Sequence, residues 1–231
     1  MAHDIVFIPS QLLTAELWAP QMAAFKGKAG CTVANNSRTD TIAGIAAGLL
    51  ADAPKTFSLC AHGMGGFVAF EVLRQAPERV EKLILVSTLA SADTPAQTAR
   101  RMGYLKLVEA GDFAKVVEER IPMMIPAERR GDAALVGLVR KMASDTGAEA
   151  FLRQQKAIMG RIDSRPSLEN IRCPTLLIYG RFDGISTLDH QQEMLTGIKN
   201  ARLEIVEDSG HLVPIERPEK ASALIGNWVG V

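Results

Sequence analysis

Residues 56–75 constrain the fold most, because a run of strand-forming residues leads directly into a helical run through a turn rich in small residues. From residue 60 to residue 66 the turn reads Cys-Ala-His-Gly-Met-Gly-Gly. A turn of this strand–turn–helix kind holds its central residue at a strained, positive φ, and its neighbours must be small. Residue 63 takes the central place, and it is a glycine, which has no side chain for chemistry.

Apolar runs of strand length alternate with helical patterns along the chain. This order is expected of a parallel sheet covered by helices on both faces. The predicted strands are residues 4–8, 32–35, 56–60, 82–87, 175–179 and 202–206. The predicted helices are residues 41–51, 66–75, 188–198 and 218–229. The sequence therefore predicts an α/β fold with about six mostly parallel strands.

One connection is far longer than an ordinary loop between a strand and a helix. Residues 89–172 contain no convincing strand, only amphipathic segments separated by glycines and prolines. Connections in such folds usually take about 2–6 residues. We therefore expect roughly four short helices inserted into one α/β core, with residues 1–88 and 173–231 forming the core and residues 89–172 forming a helical cap.

Composition excludes several classes of function. Lys and Arg together number 26, as do Asp and Glu, so no net charge would attract nucleic acid or an anionic membrane surface. No apolar stretch reaches the roughly 20 residues that span a bilayer. The three cysteines are too few and too scattered for a disulfide framework or a cysteine metal site. We expect a cytoplasmic protein without nucleic-acid or membrane partners and without a bound metal or cofactor.

Three segments, in order along the chain, resemble one known family. The turn around Gly63 resembles the G-H-S-M-G-G segment of α/β-hydrolases, with glycine where those enzymes have the nucleophilic serine. Asp183 ends a G-x-x-D turn after a predicted strand, and His211 follows the next strand in a loop with E-R-P-E shortly after. The resemblance implies that residue 63 is the nucleophile position, that Asp183 is the acid and that His211 is the base.

Other acids and histidines compete for these roles. Asp208 and Asp93 are weaker candidates for the acid, since some members of the family take it from an earlier loop. His62 is expected to pack against the turn rather than act as a base. His3 and His190 have no sequence context that indicates catalysis.

An acyl-transfer site also needs backbone N–H donors for the developing oxyanion. One donor would be Met64, directly after the nucleophile position. The second would be Gln11, in the loop after the first strand, with Leu12 as the alternative. In this loop Ser10 replaces the glycine that the family usually has, which leaves the backbone geometry open.

The cap is rich in methionine and other apolar residues, and methionine surfaces adapt to flexible apolar ligands. Leu12, Met123, Met124 and Met159 are candidate substrate contacts. We therefore expect a small apolar acyl ester or lactone as substrate. The arginines of the cap are expected to form a solvated face rather than a carboxylate-binding site; they are Arg100, Arg101, Arg129, Arg130 and Arg140.

Gly63 leaves two hypotheses about function. In the first, the chain is an inactivated variant of a carboxylic ester or lactone hydrolase, because Asp183 and His211 both remain where the family has them. In the second, it is a natural protein that works without the serine, either as an enzyme in which His211 with Asp183 abstracts a proton from the substrate or as a non-catalytic binder of small ligands. A monomer and a homodimer are both compatible with the sequence.

Overall fold

The computed structural model describes residues 3–231, so residues 1 and 2 of the expected core lie outside it. Six parallel strands form one sheet in the order β2-β1-β3-β4-β5-β6. The strands are β1 His3–Ile8, β2 Ala29–Val33, β3 Phe57–His62, β4 Val80–Val86, β5 Thr175–Gly180 and β6 Ala201–Val206. The predicted fold class is thereby confirmed.

Helices cover both faces of the sheet. They are α1 Ala19–Ala24, α2 Ile42–Asp52, α3 Met64–Gln75, α4 Pro95–Glu109, α5 Phe113–Met124, α6 Ala133–Met159, α7 Leu188–Gly197, α8 Val213–Glu216 and α9 Pro218–Val229. Short 3-10 turns lie at Ala15–Trp18, Pro77–Arg79, Ala127–Arg129 and Arg165–Asn170. Within residues 3–231 no helix combines the length and the apolar character needed to cross a membrane.

Alternating side chains of each strand enter two hydrophobic clusters on opposite faces of the sheet, as the two-residue period of a strand requires. On β1, Ile5 and Phe7 join the cluster that α1 and α9 cover, whereas Val6 and Ile8 join the cluster under α2 and α3. Burial on both faces explains why the central strands read as continuous apolar runs.

The segment between β4 and β5 is helical, with α4 and α5 followed by the long α6. Gly147 divides α6, because its φ of 74° and ψ of 164° are not helical. Asp112 and Asp132 begin α5 and α6 by accepting hydrogen bonds from the backbone N–H groups of Lys115 and Leu135. We call residues 89–172 the helical insertion.

Several predicted boundaries differ from the structure by one to three residues, including those of β2 and α3. The strand predicted at residues 32–35 lies instead at Ala29–Val33, because its pairing with β1 outweighs the turn-like character of Gly30. The helix predicted from residue 66 begins at Met64, directly after Gly63, so the turn is shorter than the sequence indicates.

The last residue of β5, Gly180, has no room for a side chain. A Cβ there would collide with the backbone oxygen of Gly210 and lie 2.7 Å from that of Ser209. We expect Gly180→Ala to lower the free energy of unfolding by about 3 kcal/mol or more, because backbone on both sides would have to move. Urea denaturation measures the loss.

Gly137→Ala is the matched control. Gly137 is exposed on α6 and an added Cβ would meet nothing within 4 Å. That variant should gain about 0.5–1 kcal/mol from helix propensity. Equal urea midpoints for Gly180→Ala and the unaltered chain would contradict the close approach of β5 to the loop after β6.

Candidate active site

Gly63 forms the sharp turn between β3 and α3. Its φ of 53° and ψ of −115° suit glycine, since other residues rarely adopt a positive φ. The Gly63 N–H donates to the carbonyl of Val86 (3.1 Å), and the Thr88 hydroxyl donates to the carbonyl of Gly63 (2.7 Å). These bonds hold the turn at the carboxyl edge of the sheet.

Small residues after Gly63 let α3 pack closely against the sheet. A Cβ on Gly65 would lie 2.6 Å from the backbone oxygen of Ile8, and one on Gly66 would lie 2.7 Å from Cβ of Thr88. Both glycines are therefore required by close approach, as the small flanking residues of the turn indicate.

Asp183 and His211 meet at the same edge of the sheet. Asp183 follows β5, and its two carboxylate oxygens lie 3.0 and 2.9 Å from Nδ1 of His211, which lies in the loop after β6. The carboxylate also accepts hydrogen bonds from the N–H groups of Ile185 and Ser186 and from the Ser186 hydroxyl. Asp183 is thus fixed on several sides and orients the His211 ring.

Both members of this pair are buried, Asp183 at 7% exposure and His211 at 3%. Burial alone would raise the pKa of Asp183, but His211 and the hydrogen bonds from Ser186 and Ile185 outweigh it and hold that pKa below its usual value. The carboxylate is therefore ionised at neutral pH. It can stabilise a proton on the imidazole.

The position of a side chain on residue 63 faces the other ring nitrogen of His211. A Cβ built on Gly63 would lie 3.4 Å from Nε2. A hydroxyl one bond beyond such a Cβ could reach hydrogen-bond distance of Nε2, given a suitable rotamer. The structure therefore brings together residue 63, His211 and Asp183, but neither of the other two acids.

Asp93 and Asp208 contact arginines instead of histidine. Asp93 pairs with Arg101 and Arg161, at 2.7 and 2.8 Å, and Asp208 pairs with Arg217. Both carboxylates are engaged at these arginines. Among the candidate acids, only Asp183 lies in hydrogen-bond contact with the His211 ring.

Ser10 occupies the space beside Gly63 that a larger residue would need. Its hydroxyl accepts the backbone N–H of Met64 (3.1 Å), which is the group expected to bind an oxyanion. A Cβ on Gly63 would collide with the Ser10 hydroxyl and lie 2.9 Å from Cβ of Ser10. Sequence reasoning noted Ser10 as a departure from the family, but nothing in the sequence indicated this contact.

The loop after β1 places its next two residues differently. Gln11 lines the cavity, and its side-chain oxygen accepts a hydrogen bond from the side-chain amide of Gln155. Leu12 lies in the core with a fully buried side chain, and its N–H donates to the side chain of Gln154 (3.1 Å). The Leu12 side chain, predicted as a substrate contact, therefore does not line this cavity, and its N–H is already engaged.

A cavity of about 270 Å³ lies between this edge of the sheet and the helical insertion. Met123 contributes to its lining, whereas Met124 and Met159 do not. Met124 directly follows Met123 on α5 and therefore points about 100° away, into the core, where it is 2% exposed. Of the three methionines predicted as substrate contacts, Met123 therefore lines this cavity, and Met124 and Met159 lie outside its lining.

Arginines give the cavity a lining more polar than expected. Arg100, Arg101, Arg120 and Arg161 all contribute to it. The expected solvated face is correct for Arg140, which pairs with Glu118 at the surface, but wrong for Arg101, which is 8% exposed. Sequence reasoning missed Arg120 and Arg161 because neither follows a strand or forms part of a motif.

His62 packs against the loop that carries His211, whereas the sequence predicts packing against the turn around Gly63. Its Nε2 donates to the carbonyl of His211 (2.7 Å), and the two rings meet edge to face with centroids 4.7 Å apart. Burial, with a smaller contribution from His211, lowers the pKa of His62 to about 3. His62 is therefore neutral at pH 7 and supports the loop.

No group of three or more potential metal ligands occurs among residues 3–231.

The chain is similar to known proteins in sequence and in fold. The chain matches the sequence model of the family described as "Alpha/beta hydrolase family" over residues 5–224. It is 26% identical over 198 residues to the pimeloyl-[acyl-carrier protein] methyl ester esterase of Aromatoleum aromaticum. This alignment covers 78% of this chain and 77% of that protein.

Two solved structures are similar in fold. A thermophilic esterase from Thermogutta terrifontis aligns with a TM-score of 0.90 at 24% identity, covering 99% of this chain and 90% of the other. The enol-lactonase of Burkholderia xenovorans LB400 aligns with a TM-score of 0.89 at 21% identity, covering 100% and 92%. At these identities the likeness is one of fold.

The low pKa of His62 predicts a specific pH dependence of stability. Between pH 6.5 and about 3 the unfolded chain binds a proton at His62 that the folded chain does not, so stability falls as the pH falls through this window. From pH 7 to pH 5 the loss should be about 2 kcal/mol. Urea denaturation of the unaltered chain and of His62→Gln at both pH values should show a drop smaller by that amount in the variant.

The other titrating groups are common to both chains and cancel in this comparison. The same drop in both chains would contradict a buried, neutral His62.

Proposed function

Because the chain belongs to the alpha/beta hydrolase family, we propose that its site is that of a carboxylic ester or lactone hydrolase in which glycine replaces the nucleophilic serine at position 63. One observation carries the proposal: the side-chain position of residue 63 faces Nε2 of His211, whose Nδ1 is held by Asp183. The chain's relatives are hydrolases, and those compared above include an esterase and an enol-lactonase.

With a serine at position 63, each group has a defined task. The hydroxyl attacks the ester carbonyl while Nε2 of His211 accepts its proton, and Asp183 stabilises the imidazolium that forms. The N–H of Met64 is directed at the oxyanion, with the N–H of Gln11 as the proposed second donor. His211 then returns the proton to the leaving alcohol, and water hydrolyses the acyl-enzyme.

With glycine at position 63, no acyl-enzyme can form at that residue. Hydrolysis would then require His211 to take a proton from water directly, and the Ser10 hydroxyl already binds the N–H of Met64. We therefore expect this chain to be inactive or nearly so as an esterase. The cytoplasmic setting expected from the sequence stays a prediction, as do both oligomeric states.

A second candidate is supported by Ser10. Its hydroxyl fills the space beside Gly63 and takes up the Met64 N–H, so the site is packed without a serine at position 63. In such a site His211 and Asp183 would abstract a proton from a bound substrate, or the cavity would bind a small ligand without turnover. This candidate requires no reactive side chain at position 63.

Restoring the serine distinguishes the two candidates. Gly63→Ser alone places its Cβ against Ser10, so the double variant Gly63→Ser with Ser10→Gly is the sharper test. We expect the double variant to hydrolyse short 4-nitrophenyl esters on the order of 10³-fold or more faster than the unaltered chain. It should also gain the mass of a fluorophosphonate probe on residue 63, and the single Gly63→Ser variant should gain less activity.

Adding His211→Ala to the double variant is the control, and it should remove the gained activity. A folded double variant that stays silent on short and medium acyl esters and lactones would refute the hydrolase proposal. If the unaltered chain shows an activity that His211→Ala abolishes and position 63 does not affect, the proton-transfer candidate is supported instead.

A further inference from the structure

The cavity above His211 carries more positive charge than its own residues neutralise. Four arginines contribute to its lining, and Asp93 is the one acidic residue that does. Asp93 is already shared, because its carboxylate pairs with Arg101 at 2.7 Å and with Arg161 at 2.8 Å. The lining therefore lacks a counter-ion for the remaining arginines.

Arg120 is the most unusual of them. It extends from α5 and is 3% exposed, and no carboxylate of residues 3–231 forms a salt bridge with it. Its Nε has no hydrogen-bond partner, and its guanidinium carbon lies 5.9 Å from the centre of the Tyr104 ring. A buried charge without a partner is costly, so such a residue is rarely kept for stability.

The surroundings of Arg120 increase this cost. Burial lowers the pKa of Arg120 to about 10, and the nearby charges of Arg101 and Arg100 add to the effect. The residue nevertheless stays protonated at neutral pH. An anion entering the cavity would gain from Arg120, which is buried without a carboxylate partner among residues 3–231, and from the neighbouring Arg100 and Arg101, of which Arg101 already pairs with Asp93.

We propose that the cavity binds a small molecule carrying a carboxylate, which Arg120 receives with help from Arg100 and Arg101. A guanidinium presents a planar fork of donors that matches a carboxylate. If the site is that of a hydrolase, the substrate is a monoester or lactone of a dicarboxylic acid. Its free carboxylate lies at Arg120, and its ester lies between Gly63 and His211. The identity of the substrate rests on the proposed function, whereas the binding of a carboxylate does not.

This inference replaces the expectation of an apolar acyl group. Met123, Phe67, Leu89 and Ile185 give the cavity apolar walls suited to a short chain between the two polar ends. The volume of about 270 Å³ suits a molecule of modest size.

Binding can be measured on the chain as it is, without turnover. Straight-chain dicarboxylates from succinate to suberate are titrated by calorimetry at pH 7 and low salt, beside the corresponding neutral diamides. We expect at least one dicarboxylate to bind about tenfold or more tightly than its diamide. Arg120→Met should weaken its binding about tenfold to a hundredfold and leave diamide binding unchanged.

Two further variants make the comparison specific. Arg120→Lys keeps the charge but not the planar fork, so it should retain part of the preference for the dicarboxylate. Arg140→Met removes an exposed arginine of α6 that pairs with Glu118 and should leave binding unchanged. Without ligand, Arg120→Met should unfold at a urea concentration equal to or higher than that of the unaltered chain. If it does not fold, Arg120→Gln takes its place in the titrations.

The proposal is overturned if every dicarboxylate binds no more tightly than its diamide, or if Arg120→Met and Arg140→Met affect binding equally. These outcomes do not depend on the hydrolase proposal. If binding depends on Arg120 but the double variant at positions 10 and 63 hydrolyses no ester or lactone, the carboxylate site is supported and the hydrolase proposal is refuted.

Discussion

Close backbone approach at the carboxyl edge of the sheet is the constraint on which the site depends. Gly65 meets the backbone of Ile8, and Gly180 meets the backbone of Gly210, at distances that exclude any side chain. The first contact holds the start of α3 against β1, and the second holds the end of β5 against the loop after β6 that carries His211. Asp183 and His211 lie on either side of this second contact and hydrogen-bond to each other there.

The site contains two kinds of buried charge. The Asp183 carboxylate is satisfied by His211, Ser186 and backbone N–H groups, so its burial is compensated within the protein. Arg120 is buried to a similar degree without an acid beside it. The contacts of Asp183 set the geometry of its proton-transfer pair with His211. Arg120 instead lacks an acidic partner, and a ligand with a carboxylate can supply one. The contacts within the protein explain why the Asp183 charge is buried, but they do not explain why the Arg120 charge is buried.

The sequence predicts those site residues that directly follow a strand, since the strand ends of a parallel sheet share one edge. Gly63, Asp183 and His211 each follow a predicted strand, and their roles were inferred from the resemblance of these segments to α/β-hydrolase motifs. Ser10 and Arg120 act through contacts between distant segments, and no local pattern records such contacts. Met123 lines the cavity and Met124 does not, because adjacent helical residues point in different directions, and composition alone cannot say which one faces a cavity.

Ser10 and Gly63 are best understood as one feature. A serine at residue 63 would need the space that Ser10 occupies, and the family usually has a glycine at the place of Ser10. The chain therefore has the small residue and the hydroxyl exchanged between the two positions. A side chain on residue 63 would collide with Ser10, so the effects of changing the two residues should be non-additive. The hydroxyl at residue 10 accepts the Met64 N–H, whereas one at residue 63 would leave that N–H free for a substrate oxyanion.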